Sequence, residues 1–270
     1  MKRALGITCD CITQSGFSAL DTLSIIKDTG FDCTFCGYEN KDLINKNKNK
    51  ADKLGLSFEF IHGPFKGVNN LWLTGDDYQP LMQQIKECID SAQENAISTV
   101  VCHVSSSWHP PQPCDLGYSR FDQIVEHAEK RGVKIAFENT RKFGDHASIM
   151  YRYADNKHVG FCYDSGHEYC YTETVPFIDI YHKQMLCTHL HDNLGRNHND
   201  LEADNDFHFL PFDGTFDYKT MINKMDKFNY SGSLTLEVFT NRKPEYMLLS
   251  PSKFIKLAYE KLKKITDLSE

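Results

Sequence analysis

The stretch that decides the fold is residues 134–167, KIAFENTRKFGDHASIMYRYADNKHVGFCYDSGH. Lys134–Glu138 and Val159–Asp164 are short, largely apolar runs that each end in a carboxylate, which is typical of buried parallel strands. His146–Ala154, between them, has the length and apolar spacing of a helix. A strand, a helix and a second strand in this order predict two parallel strands with a helix packed outside.

The same alternation continues along the whole chain. Further strands are predicted at Ala4–Cys9, Phe31–Cys36, Ser57–His62, Thr99–His103, Met185–His191 and Leu234–Val238. Further helices are predicted at Ser18–Thr29, Lys41–Leu54, Asp77–Asn95, Arg120–Arg131, Val175–Lys183, Asp217–Phe228 and Pro251–Ile265. We therefore expect residues 1–270 to form one domain, an α/β protein with the (β/α)8 TIM barrel fold. A doubly wound open sheet is the alternative, but no glycine-rich, dinucleotide-binding turn follows the first strand.

Composition excludes several classes of protein. The chain is 40% hydrophobic and 25% charged, which does not fit a disordered or collagen-like chain. Its net charge of −7 gives no overall attraction for nucleic acid or an anionic membrane. Since it lacks an apolar leader and any run of about 18 apolar residues, we expect no membrane association and a cytoplasmic location. We expect the 10 cysteines to be reduced thiols.

Metal-capable side chains recur at the predicted strand ends. They are His62, His103, Glu138, Asp164, His191 and Glu237. Active sites of this barrel form at the carboxyl ends of its strands, and a carboxylate pointing inward is costly unless it is paired, protonated or metal-bound. Mixed histidine and carboxylate ligands suit Zn²⁺, Mn²⁺, Fe²⁺ or Co²⁺ better than Ca²⁺ or Mg²⁺. We therefore regard these side chains, and above all Glu138, Asp164, His191 and Glu237, as candidate ligands of a divalent metal.

Local spacing adds neighbours to this site. Asp164 and His167 lie three residues apart on a glycine-containing turn, and His189 and His191 share one strand face. Asp206-Phe207-His208 lies in a long loop after the seventh strand, and such loops are more often functional than idle. Trp108, in the loop after the fourth strand, is a candidate wall of a small-molecule pocket.

Several motifs together carry a resemblance to a known family. They are Ile61-His62-Gly63-Pro64, Val101-Cys102-His103, Phe137-Glu138-Asn139, Asp164-Ser165-Gly166-His167, His189-Leu190-His191-Asp192-Asn193, Asp206-Phe207-His208 with the segment to Asp217, and Leu236-Glu237. In order and spacing the chain resembles the xylose isomerase-like TIM barrel superfamily, which contains sugar phosphate isomerases and epimerases and endonuclease IV.

The epimerase branch implies one divalent metal (Mn, Zn, Co or Fe) held by Glu138, Asp164, His191 and Glu237. By the same resemblance the two glutamates move a proton on opposite faces of the substrate. The substrate would contact His62, His103, His167 and Trp108, and also Arg196, although Arg196 lies one residue closer to His191 than in that branch. Such chemistry is coherent, because a cation stabilises the enediolate charge that proton removal beside a carbonyl creates.

The endonuclease branch implies an alternative, a zinc-dependent phosphodiesterase acting on abasic DNA. Its trinuclear zinc cluster would add His62, His103, His167, Asp206 and His208 to the metal ligands. The predicted loops supply few Lys or Arg residues for phosphate contacts, so we do not expect a nucleic-acid partner. We expect a metal-dependent sugar, sugar-acid or polyol isomerase or epimerase with a small carbohydrate substrate. A barrel that binds sugars without catalysis and a homodimer both remain open.

Overall fold

Eight parallel strands form the barrel in this computed structural model, which describes residues 2–269. The strands are β1 (Leu5–Thr8), β2 (Cys33–Gly37), β3 (Ser57–His62), β4 (Thr99–Cys102), β5 (Lys134–Glu138), β6 (Val159–Asp164), β7 (Met185–His189) and β8 (Leu234–Leu236). From β1 to β7, strands that follow one another in the sequence lie side by side in the sheet. β8 pairs with β1. The predicted (β/α)8 TIM barrel is confirmed.

The ring closes where β7 meets β8. Leu190 forms a parallel bridge with Leu236, just beyond the end of β7. Its backbone N–H donates to the carbonyl of Thr235 at 2.8 Å, and its carbonyl accepts from the N–H of Glu237 at 3.1 Å. The Thr235 hydroxyl donates to the carbonyl of Thr188 across the same seam. These bonds hold the carboxyl ends of β7 and β8 side by side.

The helices form the outer layer. They are α1 (Ala19–Thr29), α2 (Lys41–Leu54), α3 (Gln79–Glu94), α4 (Asp115–Arg131), α5 (Phe143–Arg152), α6 (Ser165–Tyr171), α7 (Phe177–Tyr181), α8 (Tyr218–Lys227), α9 (Pro244–Met247) and α10 (Pro251–Thr266). α1 begins with a capping box between Ser18 and Asp21 and ends at Gly30, whose φ of 109° is in the left-handed region. None of the helices in residues 2–269 is long and apolar enough to cross a membrane.

α4 begins earlier than predicted, and α6 is a helix that the sequence did not predict; each has a physical reason. α4 begins at Asp115 and not at Arg120, although Gly117 is a poor helix former. A side chain at Gly117 would overlap the Trp72 ring, so the glycine allows α4 to pack on this indole. α6 follows β6 without a loop, because the Asp164 carboxylate accepts the backbone N–H of His167 at 2.6 Å and caps the helix.

A compact apolar layer fills the barrel interior. It consists of Phe35, Phe60, Val101, Ala136, Cys162 and Cys187, one residue from each of β2 to β7. The imidazole of His189 lies on this layer, with its ring centre 5.2 Å from that of Phe35 and 5.4 Å from that of Phe60. The layer is therefore the floor on which the polar strand ends rest.

Asp192 anchors the long loop between β7 and α8. Its buried carboxylate accepts the backbone N–H groups of Asn193 at 2.8 Å, Phe212 at 2.8 Å and Phe216 at 3.0 Å. Burial raises the pKa of this carboxyl group, while the backbone hydrogen bonds act in the opposite direction. One side chain thus fixes both ends of the loop that carries Asp206 and His208.

Replacing Asp192 by alanine should lower the free energy of unfolding by about 2–4 kcal/mol, because it leaves several backbone N–H groups without an acceptor. Urea denaturation followed by circular dichroism measures this. Asp200→Ala, an exposed change in the same loop, is the matched control and should have little effect. Equal stability of the two variants would show that the Asp192 contacts do not hold the loop.

Candidate functional site

The Glu138 carboxylate is the centre of a first group of histidines. It ends β5, is fully buried, and its Oε2 lies 3.4 Å from His62 Nε2, 3.2 Å from His103 Nε2 and 3.3 Å from His189 Nδ1. Its Oε1 lies 3.0 Å from His167 Nδ1. We call Glu138, His62, His103 and His189 the Glu138 cluster.

His189 lies between three carboxylates. Its Nδ1 atom is 3.3 Å from Glu138 Oε2, 3.7 Å from Glu237 Oε2 and 4.0 Å from Asp164 Oδ2. These carboxylates come from the ends of β5, β6 and β8, so this one nitrogen is close to three separate strand ends. His189 is fully buried.

A second group surrounds Asp206, and we call His167, His191, Asp206 and His208 the Asp206 cluster. Asp206 Oδ2 is 3.2 Å from His167 Nε2 and 3.3 Å from His208 Nε2, and Asp206 Oδ1 is 3.7 Å from His191 Nε2. The rings of His191 and His208 stack with centres 3.9 Å apart. His167 joins the two clusters, because its other nitrogen faces Glu138.

The donor set fits a divalent transition-metal ion. Within the described residues, neither ring nitrogen of the buried His189 completes a hydrogen bond, and Asp206 Oδ1 also lacks one. Among the groups whose ligand atoms lie within 4.8 Å of one another are His62 with His103 and Glu138, His62 with His189 and Glu237, and the Asp206 cluster. Buried lone pairs without hydrogen-bond donors are costly, and a cation would satisfy them. Nitrogen and carboxylate ligands together suit Zn²⁺, Mn²⁺, Fe²⁺ or Co²⁺.

In the absence of a metal, imidazolium protons balance the buried carboxylates. Burial disfavours protonation of His62, but the contact with Glu138 outweighs it and raises the pKa of His62 to about 9. Burial also lowers the pKa of His208, but the facing Asp206 outweighs it and raises this pKa to about 9. Burial raises the pKa of Glu138, yet the neighbouring His189 and His103 bring it well below its usual value. A divalent cation can take the place of these protons.

A cavity of about 270 Å³ opens above the clusters. Its floor includes His62, Glu138 and Glu237, and its walls include the aromatic rings of Phe65, Tyr171 and Phe239. The Phe65 ring stacks on His103 with ring centres 4.4 Å apart. Arg141 and Arg242 complete the rim. This volume lies just below the range of about 300–1,000 Å³ typical of small-ligand pockets.

The sequence-predicted residues fall into three places. Those that line the cavity are His62, His103, Glu138, His167, Asp206, His208 and Glu237. Asp164 and His191 lie beneath it, fully buried and 3.1 Å apart. The described lining does not include Trp108 or Arg196. Both contact Tyr171 instead: Trp108 packs edge-on against its ring, and Arg196 Nη1 donates to its carbonyl at 2.7 Å.

Several residues of the site are absent from the sequence-based prediction, among them His189, Arg141, Arg242 and the wall residues Phe65, Tyr171 and Phe239. The sequence places His189 on the same strand face as His191, but the strand is predicted to end at His191, so only His191 is assigned to the site. The structure ends β7 at His189 and directs His191 towards Asp164 and Asp206. Arg141 and Arg242 gave no sequence signal beyond their positions after strands, since only the paths of their loops bring them to the cavity.

Comparison with known proteins gives a family match over most of the chain. A family model described as "Xylose isomerase-like TIM barrel" matches residues 23–258. An uncharacterized protein of Sinorhizobium fredii is 30% identical over 149 residues, which cover 53% of this chain and 44% of that protein. A match to an uncharacterized protein of Methanocaldococcus jannaschii, 23% identical, covers 66% of this chain and 63% of that protein. The chain therefore spans less than two thirds of the length of both curated relatives.

Solved structures share the barrel along its whole length. The apo form of 3-keto-D-glucoside 4-epimerase from E. coli has a TM-score of 0.70 at 15% identity, covering 97% of this chain and 100% of that one. D-allulose 3-epimerase from Methylomonas sp. has a TM-score of 0.73 at 10% identity, covering 97% of this chain and 98% of that one. At such identities these similarities show a common fold.

The stability of the metal-free protein should fall as the pH rises. His62 and His208 have pKa values of about 9 when folded, against 6.5 for an unperturbed histidine, so they bind more protons folded than unfolded between these values. Their stabilising contribution is complete below pH about 6.5 and is lost as the pH rises through about 9. Scanning calorimetry of metal-free protein should show Tm decreasing over this interval, and added Mn²⁺ should raise Tm more at the higher pH. A constant or rising Tm in the metal-free protein would contradict this charge balance.

Proposed function

This chain belongs to the xylose isomerase-like TIM barrel family, and from that premise we propose that it is a divalent-metal-dependent isomerase or epimerase acting on a small sugar, sugar acid or polyol. The observation that carries the proposal is the placement of Glu138 and Glu237. They come from β5 and β8, both line one small cavity, and both lie within 4 Å of the same His189 nitrogen. Two carboxylates that reach one substrate from different strands are what reversible proton transfer requires.

The structural neighbours support a sugar as the substrate. The two epimerases that share this fold over almost the full chain act, by their names, on a 3-keto-D-glucoside and on D-allulose. The cavity of about 270 Å³ is of the size that a small sugar needs. Its walls combine aromatic rings with hydrogen-bonding groups, which suits such a ligand. Fold similarity alone does not define a substrate, so this inference rests on the cavity as well as on the neighbours.

Proton transfer is assigned to the two glutamates. Burial raises the pKa of Glu237, but the nearby His189 and His208 lower it below its usual value. His189 and His103 lower the pKa of Glu138 in the same way. Both groups are therefore carboxylates at neutral pH and can act as bases. One carboxylate removes the proton beside the substrate carbonyl. The other takes up a proton from solvent and delivers it to the opposite face, which inverts that carbon. His62, His103 and His167 line the cavity and would bind substrate oxygens.

When bound, a divalent cation would supply positive charge beside the reacting oxygens. We propose that Glu138, Asp164 and Glu237 hold it together with a histidine of the β7 end. His189 is the better placed of the two candidates, because its Nδ1 is within 4.0 Å of all three carboxylates. His191 was expected in this role; it lies 3.1 Å from Asp164 but otherwise belongs to the Asp206 cluster.

Trp108 and Arg196 are assigned positioning roles. Both contact Tyr171, whose ring lies on the cavity wall and 5.5 Å, centre to centre, from the His167 ring. They would therefore act on substrate through the placement of Tyr171 and His167 and not by direct contact.

Glu237→Gln should reduce exchange between substrate and deuterated water by about 10²- to 10⁴-fold, because the amide cannot accept the proton. NMR with a panel of ketoses, polyols and sugar acids would measure the exchange, with metal content determined on the same sample. Glu245→Gln, an exposed change in α9, is the matched control. Normal exchange in folded, metal-loaded Glu237→Gln would remove Glu237 from the mechanism.

A second candidate function is a zinc-dependent phosphodiesterase of the endonuclease IV type. The Asp206 cluster favours it, because a further group of four metal-capable residues adjoins the first through His167. The small cavity argues against it, since a duplex needs a long basic surface. A non-catalytic sugar-binding barrel is a third candidate, and it would need Glu138 or Glu237 for ligand binding but not for turnover.

Metal content per chain, measured by elemental mass spectrometry, separates these functions. We expect about one metal ion per chain, lost in His189→Ala and retained in His191→Ala, since His189 lies nearer the three carboxylates. Two or three zinc ions per chain, with cleavage of an abasic-site oligonucleotide, would favour the phosphodiesterase. Loss of metal only in His191→Ala would show that His191 and not His189 is the ligand, as expected from the sequence.

A further inference from the structure

We propose that Arg141 and Arg242 form a subsite for an anionic substituent of the substrate, a phosphate or a carboxylate, at the end remote from the reacting carbon. The proposal rests on the proposed function, because it places that anion relative to Glu138 and Glu237. Both arginines line the same cavity as the two glutamates, in the segments that follow β5 and β8.

Arg141 is held in one orientation. Its guanidinium lies 4.3 Å from the centre of the Tyr171 ring, and its Nη2 donates to Asp204 Oδ1 at 3.0 Å. Tyr171 also donates its hydroxyl to Asp204 at 2.8 Å, so the three side chains support one another. The Arg141 Nε atom is buried and has no hydrogen-bond partner. An unpaired, oriented guanidinium N–H next to a cavity is suited to an oxyanion.

Arg242 carries a charge without an acidic partner. It ends the 3-10 turn Thr240–Arg242, and its guanidinium lies 5.6 Å from the centre of the Phe239 ring on the cavity wall. In residues 2–269 no carboxylate pairs with it. Its charge therefore remains available at the rim of the cavity.

The charge distribution explains why these two residues decide the substrate class. The protein has a net charge of −7 and the imidazoles at the cavity floor balance its carboxylates, so the two guanidinium groups are the permanently charged cations of the described lining. Two guanidiniums at the rim and carboxylates with imidazoles at the floor give the cavity two chemically different ends. A substrate with an anionic tail would bind with that tail outward, which directs its carbonyl end towards the glutamates. A guanidinium pair recognises phosphate and carboxylate alike, since both present paired oxygens.

The first test uses inorganic phosphate as the probe and isothermal titration calorimetry as the readout. Arg141→Gln and Arg242→Gln should each weaken phosphate binding by about tenfold or more. Arg131→Gln is the matched control, because Arg131 ends α4 on the opposite face of the barrel and pairs with Asp90. Unchanged binding in both variants would overturn the subsite and would leave phosphate bound elsewhere, such as at the histidine clusters.

The second test compares a neutral ketose, its terminal phosphate and the corresponding terminal sugar acid in the deuterium-exchange assay. Each Arg→Gln variant should raise KM for the anionic substrates about tenfold or more, and it should raise KM for the neutral ketose much less. Arg→Lys at the same positions should restore part of the loss, since charge returns without the paired donors. The better of the two anionic substrates identifies which anion the subsite takes.

The two proposals can fail separately. If no sugar exchanges but phosphate binding depends on both arginines, the isomerase proposal falls and the anion subsite stands. If the neutral ketose exchanges best and the arginine variants change no KM, the subsite is overturned and the isomerase proposal stands.

Discussion

The site depends on one constraint: carboxylates buried at one end of the barrel need positive charge or hydrogen-bond donors beside them. Glu138 and Asp164 are fully buried, and an isolated ionised carboxylate in such surroundings would be prohibitively costly. The structure meets this cost with imidazoles, which surround Glu138 on several sides and pair with Asp164. The same arrangement makes the site receptive to a divalent cation, since a cation can replace the imidazolium protons.

Local contacts of the backbone and of side chains hold this arrangement in place. The Asp164 carboxylate caps α6 and so brings His167 to the point where it joins the two clusters. The absence of a side chain at Gly166 leaves room for the His191 ring, which a methyl group there would overlap. Asp192 fixes the loop that carries Asp206 and His208. The two aspartates act through hydrogen bonds to backbone N–H groups, and Gly166 acts by leaving space.

The family and the fold narrow the class of reaction, but they do not identify the substrate. The two clusters adjoin at His167, which faces both Glu138 and Asp206. What distinguishes candidate substrates is the rim, where aromatic rings and two arginines stand above the common floor. Function in this fold therefore depends on loop residues that the strands position but do not specify.

The sequence by itself determined the barrel and the identity of most groups at its mouth. The alternation of short apolar runs with helical stretches predicts eight strands, and carboxylates at the ends of such runs point to Glu138, Asp164 and Glu237. The tertiary structure alone decided that His189 and not His191 faces all three carboxylates, that Trp108 and Arg196 meet Tyr171, and that Arg141 and Arg242 share one cavity. The physical reason is that the spacing of apolar residues reports only local structure. These contacts depend on the residue at which a strand ends and on how loops far apart in the sequence fold over the same cavity.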